Sequence, residues 1–227
     1  MKNFSSAVSR ALAAVGFFAG TCGLNAQDTT YSELGLNATA FVNQYLDFGN
    51  DDDDFMSPFV LTYDQFFGGF GARIGLGLFT SSANQVPDDD NGNTSLRVTT
   101  ANFNGRLGAW KQKNLGEKWT IRGGIDLVYQ HQMDASKTIS TDFFGQEVTT
   151  EVETNTRMTG AGPFVFVQFH LSPTVSLGTE MTAYFLTGKE KFTSTNSQFP
   201  EFDDEDVSEL YQFDLGAPTA LFFSVRF

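Results

Sequence analysis

The residues with most chemical potential in this sequence are charged side chains that interrupt alternating apolar runs. The set comprises Arg73, Arg106, Arg122, Asp126 and Glu180. A buried charge is costly unless an opposite charge pairs with it. If the five share an interior, two chemistries are open to them: a network of ion pairs that fills that interior, or a charged path for ions or small solutes. The elements that hold them decide between the two.

A second arrangement has the residue types of a hydrolase. His170 and Ser172 are separated by one residue, and Glu180 follows, so the three could act as base, nucleophile and orienting group. The pattern is faintly similar to the His-x-Ser and downstream Glu of outer-membrane lipid A deacylases. However, Pro173 places the first two at a predicted turn, and Glu180 falls partway along the stretch that follows it, away from that turn. We therefore predict no catalytic residues.

Period-two alternation indicates that β-strands position these charges. At the end of the chain, Leu221, Phe223, Val225 and Phe227 share one face, which Leu215 extends. In a water-soluble protein, such a strand at the end of the chain would be an exposed, aggregation-prone sheet edge. In a membrane it can instead close a barrel, whose apolar face is the outside and contacts lipid. We therefore predict an all-β, eight-stranded, antiparallel up-and-down transmembrane β-barrel.

Seven further runs alternate in the same way and complete the count. Phe59, Leu61 and Tyr63 are expected to share one face of the second strand, and the five charged residues are expected to point inward. The predicted strands cover residues 36–48, 59–67, 72–82, 94–113, 119 to the loop at 139, 150–171, 175–192 and 215–227.

The connections between these runs alternate in length. Short turns are predicted at 68–71, 114–118 and 172–174, and long, mostly acidic loops at 49–57, 84–93, 139–149 and 194–207. Membrane barrels have short periplasmic turns and longer extracellular loops, so the alternation predicts which end faces outward. The competing hypothesis is a secreted lipocalin-like barrel, whose apolar face would line a cavity.

Composition restricts the partners. The chain carries 14 Lys and Arg against 27 Asp and Glu, which argues against nucleic acid. The acidic loops could bind a surface ligand or divalent cations, because hard cations take carboxylate oxygens. However, the consecutive acids at 88–90 do not match the spaced ligands of an EF-hand. We predict neither a cofactor nor a specific metal site.

The first 26 residues have the pattern of a secretory signal peptide. Lys2 and Arg10 precede an apolar run from 11 to 20, and small and polar residues lead to expected cleavage after Ala26. A retained anchor would need a longer run, and a lipoprotein would need Cys22, the only cysteine, in a better-matched context. The predicted barrel domain is 27–227.

The signal peptide, the eight strands and the terminal residues 221–227 resemble the small outer-membrane barrels of the OmpA transmembrane-domain and OmpX type. The resemblance implies that Phe223, Val225 and Phe227 form the signal read by the barrel-assembly machinery. It also implies residence in the outer membrane of a Gram-negative bacterium, in contact with its lipid. No peptidoglycan-binding domain is expected after the barrel.

The sequence therefore predicts a non-enzymatic outer-membrane barrel with a structural or surface-interaction role through its acidic loops. The alternatives are a porin-like channel for small solutes or ions and a lipid A-modifying enzyme. An eight-stranded barrel is just wide enough for side chains to fill, which favours a sealed network. Closing the 114–118 turn with Lys113 opposite Trp119 would place Arg106 opposite Asp126 and Trp110 opposite Arg122.

Overall fold

The computed structural model describes residues 30–39, 59–85, 94–141, 144–216, 218 and 220–227. The predicted signal peptide with its cleavage site, the upper part of the predicted first strand and the acidic runs near 50–54 and 88–90 lie outside the described residues.

The described chain is a ring of antiparallel strands. The strands are β1 Thr30–Asn37, β2 Leu61–Phe67, β3 Gly71–Gln85, β4 Ser95–Asn114, β5 Trp119–Thr141, β6 Glu147–His170, β7 Val175–Asn196, β8 Asp204–Gly216 and β9 Leu221–Arg226. From β1 to β8 each strand pairs with the next one in the chain, and β9 closes the ring by pairing with both β1 and β7. Because β8 and β9 both pair with β7, they act as one interrupted strand, so the ring has eight strands and the predicted fold is confirmed.

A bulge interrupts the final strand. Thr179 of β7 is opposite Leu221, and Thr182 is opposite Gly216, so the register against β7 shifts by two residues between the two parts of the final strand. The Thr179 hydroxyl donates to the carbonyl of Pro218 across this gap at 3.0 Å. The predicted continuous strand 215–227 is therefore two elements joined by a bulge, which increases the local bend of the strand.

Several strands are longer than predicted. About half of each loop predicted at 139–149 and 194–207 is strand: β5 runs to Thr141, β6 begins at Glu147, and β8 begins at Asp204 after a short 3-10 helix at Pro200–Phe202. These extensions are rich in Thr, Ser and charged residues on both faces, so they lack the apolar alternation used to find strands. β1, in turn, begins at Thr30 and not at 36.

Phe59 lies on the opposite face from the one predicted. Leu61 and Tyr63 are exposed on the outside, but Phe59 is 1% exposed and lies inside the ring. The regular strand begins only at Leu61, and the Phe59 carbonyl accepts a hydrogen bond from the Asn37 side chain at 3.3 Å. The alternation therefore does not extend back through Val60, where the chain bends.

The predicted register of the β4–β5 hairpin is wrong by two residues. Arg106 is opposite Val128, and Asp126 is opposite Gly108. The Leu115 amide donates to the Trp119 carbonyl at 2.8 Å, so the turn holds three residues and not five. A shift of two residues leaves every side chain on its predicted face, which is why the facing is right although the pairing is not.

Glycines alternate with large side chains around the inside of the ring. In one row of paired residues Arg73, Gly108 and Asp126 lie side by side, and in the next Gly75 lies beside Arg106. A Cβ on Gly108 would collide with the Asp126 carboxylate, and one on Gly75 with the Arg106 side chain. Alternating small and large residues allow a narrow barrel to close around long side chains.

Candidate functional site

The interior of the ring holds a central cluster of four charged groups and a tyrosine. Arg73 donates from Nε to Asp126 Oδ1 at 2.8 Å and also forms ion pairs with the second oxygen of Asp126 and with Glu180. Arg106 forms an ion pair with the other Glu180 oxygen and lies farther from Asp126, at 3.9 Å. The Tyr184 hydroxyl donates to Asp126 Oδ2 at 2.6 Å. Each carboxylate oxygen therefore has at least one donor.

A lower cluster lies nearer the short turns. Arg122 donates from Nη2 to Glu33 Oε2 at 2.7 Å and from Nη1 to Oε1 at 3.2 Å, which makes the pair bidentate. Gln168 donates to Glu33 Oε1 at 2.6 Å and to the Ser176 hydroxyl. Two further charges are more distant: Asp64, 3.9 Å from Arg122, and Arg226, 3.8 Å from Glu33.

Aromatic rings cover the guanidinium groups of both clusters. The Arg73 guanidinium carbon lies 3.1 Å from the centroid of the Phe164 ring, and that of Arg106 lies 4.3 Å from the Phe59 ring. The corresponding distance from Arg122 to Trp110 is 4.6 Å, so this predicted contact exists although the two residues are not opposite each other. Cation–π contacts of this kind strengthen when water is excluded.

The two clusters balance in charge and leave little space. Among the described residues they contain four arginines and four carboxylates. The gap between them, lined by both clusters with Phe164, Phe166 and Phe222, has room for about one water molecule. A neutral, filled interior of this kind can do little chemistry, but it can seal the ring and fix the strands that contribute to it.

The structure brings the five predicted lumen residues into these two clusters. Arg73, Arg106, Asp126 and Glu180 contact one another, whereas Arg122 belongs to the lower cluster. Glu33, which is 1% exposed, was not among the predicted lumen residues, because the first strand was predicted to begin after it. The alternation of Leu34 and Leu36 was the available signal, since it puts Glu33 on the inner face.

The three residues of the proposed assembly signal all lie on the outside of the ring. Phe223, Val225 and Phe227 are exposed, and Phe227 is 72% exposed at the chain end. The backbone of Phe227 is nevertheless fixed, because its amide donates to the Ser32 carbonyl at 2.9 Å and its carbonyl accepts from the Ser32 amide at 3.0 Å. The backbone of the terminal phenylalanine is therefore fixed where β1 pairs with β9, at the end of the barrel that carries the short turns.

The residues of the hydrolase-like pattern do not come together. Nε2 of His170 lies 2.8 Å from the Thr120 hydroxyl. Ser172 instead caps its own turn, accepting from the Val175 amide at 3.0 Å, and Glu180 is held by the arginines of the central cluster. No group of three metal-binding side chains occurs among the described residues, and no helix within them is long and apolar enough to cross a membrane.

Comparisons with known proteins give two structural likenesses. The chain is similar to a major outer membrane protein from Thermus thermophilus, with 14% identity and a TM-score of 0.43 over 87% of this chain and 99% of that one. It is also similar to Acinetobacter baumannii CarO, with 9% identity and a TM-score of 0.29 over 87% of this chain and 94% of that one. No family model matches the chain, and no curated protein matches it significantly. Since these identities and TM-scores are low, we derive the fold from the chain's own strand pairings.

Proposed function

We propose that this chain is an integral outer-membrane barrel of a Gram-negative bacterium, non-enzymatic and sealed, with a structural or surface-interaction role. The observation that carries the proposal is the inverted polarity of the ring. Ion pairs fill the lower half of its inside, whereas the outside of that half presents exposed Leu, Ile, Phe and Tyr side chains from every strand except β6, whose outward Val165, Val167 and Phe169 are half-buried. This arrangement suits a ring surrounded by lipid.

The height of the apolar surface supports a membrane location. On β5 the outward residues are apolar from Trp119 through Leu127 to Tyr129, and the next outward residue is His131. A tilted transmembrane strand needs about 9–11 residues to cross the hydrocarbon layer. The apolar run has that length, and the rest of β5 continues beyond it to Thr141.

The orientation follows from the connections. The short turns between strands lie at one end, and at the other end the strands extend beyond the apolar surface. In membrane barrels the short turns face the periplasm, so the extended hairpins and the acidic segments would face the cell exterior. We expect these to meet any surface ligand or divalent cation, and the lower end to be handled by the assembly machinery.

A cation channel is the second candidate function. Above the central cluster the inner wall carries Glu190, whose carboxylate accepts from the Thr156 hydroxyl, and the inward-facing Asp134. Carboxylates at this height would attract cations. The filled, neutral clusters below them would block passage, so we favour the sealed barrel. The separation of His170, Ser172 and Glu180 supports the absence of hydrolase activity.

Two measurements test the proposal. A closed barrel in SDS should migrate differently before and after boiling, and identical migration would contradict a membrane barrel. In planar bilayers the unaltered protein should show no conductance steps. The Arg106→Ser, Glu180→Ser double variant removes both members of one ion pair and should open a conducting path. Conductance steps from this variant also show that the protein inserts into the bilayer. Steps of similar size from the unaltered protein would favour the channel.

A further inference from the structure

One row of paired residues places a histidine, an arginine and a lysine next to one another on the outside of the ring. The strand register places His131, Arg157 and Lys189 side by side on β5, β6 and β7, and the row continues to Phe103 on one side and Glu209 on the other. These positions share the outer face with Leu127. The chain as a whole is strongly acidic, with 27 Asp and Glu against 14 Lys and Arg.

The row lies where the apolar surface ends. Tyr129 and Tyr211 belong to the row immediately below, and two rows below are Leu127, Phe185 and Phe213, all exposed. Tyrosines are enriched at the boundary between hydrocarbon and headgroups. The basic row therefore has the height of lipid headgroups if the barrel stands in a membrane.

Arg157 and Lys189 form no ion pair within the described part of the chain, although Glu209, whose carboxylate accepts from the Tyr211 hydroxyl at 3.2 Å, lies opposite Lys189. The other outward lysines of these strands have partners: Lys137 pairs with Glu151 at 2.7 Å and Lys191 with Glu205 at 3.0 Å. In contrast, Arg157 and Lys189 are exposed and directly opposite each other, and neither forms an ion pair with a described residue. Like charges directly opposite in a sheet are destabilising unless an anion lies between them.

A single amide orients two members of the row. The Asn155 side-chain oxygen accepts from Arg157 Nε at 3.2 Å and lies 3.2 Å from His131 Nε2. The Nη groups of Arg157 form no hydrogen bond to a described residue, so its paired donors are available to another acceptor. Two parallel donors from a guanidinium match the oxygens of a phosphate group.

We propose that His131, Arg157 and Lys189 form a binding site for the phosphate group of an anionic lipid in the outer leaflet. The inference rests on the proposed membrane location. Charge complementarity selects the phosphate, and the apolar surface two rows below provides a wall for the acyl chains. A free phosphate ion would gain the charges of the row but nothing from that wall.

The test uses the mature protein refolded in an uncharged detergent. The protein is titrated separately with short-chain phosphatidic acid and with short-chain phosphatidylcholine, and the bound lipids are counted by native mass spectrometry. Phosphatidic acid should bind more tightly. The Arg157→Gln, Lys189→Gln double variant should weaken that binding roughly thirtyfold, because each basic residue near a membrane surface contributes about fivefold. The matched control is Lys137→Gln with Lys191→Gln, two outward lysines of β5 and β7 that have ion-pair partners, and it should change binding little.

Three results would overturn the proposal: equal binding of both lipids, equal loss in the control variant, or displacement of phosphatidic acid by inorganic phosphate at the same concentration. The last would identify a site for free phosphate. The migration of every variant in SDS before and after boiling is measured in parallel. It separates loss of the lipid site from failure of the barrel itself. A barrel that is heat-modifiable but does not prefer phosphatidic acid would retain the proposed function and lose the lipid site.

Discussion

Arg73 and Asp126 form an ion pair across an entire intervening strand. Arg73 belongs to β3 and Asp126 to β5, and between them on β4 lies Gly108, which has no side chain to separate them. The pair is almost completely buried, with side-chain exposures of 4% and 0%. Asp126 therefore has Arg73, and not the Arg106 expected from the sequence, as its main partner.

The costs of removing the two members of this pair should not add. Asp126→Ala leaves Arg73 buried with one partner fewer, and we expect a loss of about 3–5 kcal/mol in the free energy of unfolding. Asp126→Ala combined with Arg73→Ala should be less destabilising than the sum of the single variants, measured by urea unfolding in lipid vesicles. The same cycle with Arg106→Ala should show weaker coupling. Additive losses for the Arg73 cycle would contradict the pairing.

Two glycines on β4 provide a matched test of the interior packing. A Cβ at Gly108 would collide with the Asp126 carboxylate and lie 3.2 Å from Arg73 Cγ, whereas one at Gly105, on the outer face, would meet only the Phe103 ring at 3.7 Å. Gly108→Ala should therefore destabilise the protein by about 1–3 kcal/mol. Gly105→Ala should be neutral or slightly stabilising. Equal effects in equilibrium unfolding would show that the interior is looser than described.

An arginine on the outer surface should destabilise the barrel strongly only where that surface lies within the membrane. Leu127 and Ala135 both face outward on β5, but Leu127 lies among apolar residues and Ala135 lies beyond His131. Leu127→Arg, one outward residue below the boundary at Tyr129, should cost less than the about 2–4 kcal/mol of a mid-bilayer site but clearly more than Ala135→Arg. Unfolding in lipid vesicles measures both. Equal costs at the two positions would contradict the placement of the membrane.

The terminal aromatic should matter for assembly more than for stability. The backbone of Phe227 keeps both of its hydrogen bonds to Ser32 in Phe227→Ala, and the lost ring is already exposed. Folding in vitro should therefore change little, whereas the amount in the outer membrane of expressing cells should fall. Phe70→Ala, which also removes an exposed ring, is the control. Normal membrane levels of Phe227→Ala would remove the proposed assembly signal.

Alternation alone was sufficient to predict the strands and most of their faces. Arg106, Arg122 and Asp126 are all buried as expected, because each stands between outward apolar residues. Alternation cannot fix the register, since a shift of two residues preserves every face. The register depended on the length of the turn before Trp119, which is set by one backbone hydrogen bond.

The remaining errors lie where the alternation of apolar and polar residues is short, interrupted or absent, or where a contact depends on a distant residue. Glu33 was missed because only two leucines mark the outer face of β1, and Phe59 was misplaced because the chain bends at Val60. The partner that Arg73 can reach depends on which residue of the neighbouring strand lies opposite it. This is a long-range relation that no local sequence pattern contains. The extended hairpins were missed because both of their faces are polar.

The most direct test of the inverted polarity is a comparison of three spin-labelled positions on β5 in lipid vesicles. Apart from Cys22 in the predicted signal peptide the chain has no cysteine, so single cysteines can be placed at Leu127, Val128 and Ala135 of the mature protein. The label at 127 should be relaxed by oxygen, which concentrates in lipid, and the label at 135 by a water-soluble nickel complex. The label at 128, where the native side chain is 4% exposed, should be reached by neither. Access of the nickel complex to position 127 would contradict the membrane barrel.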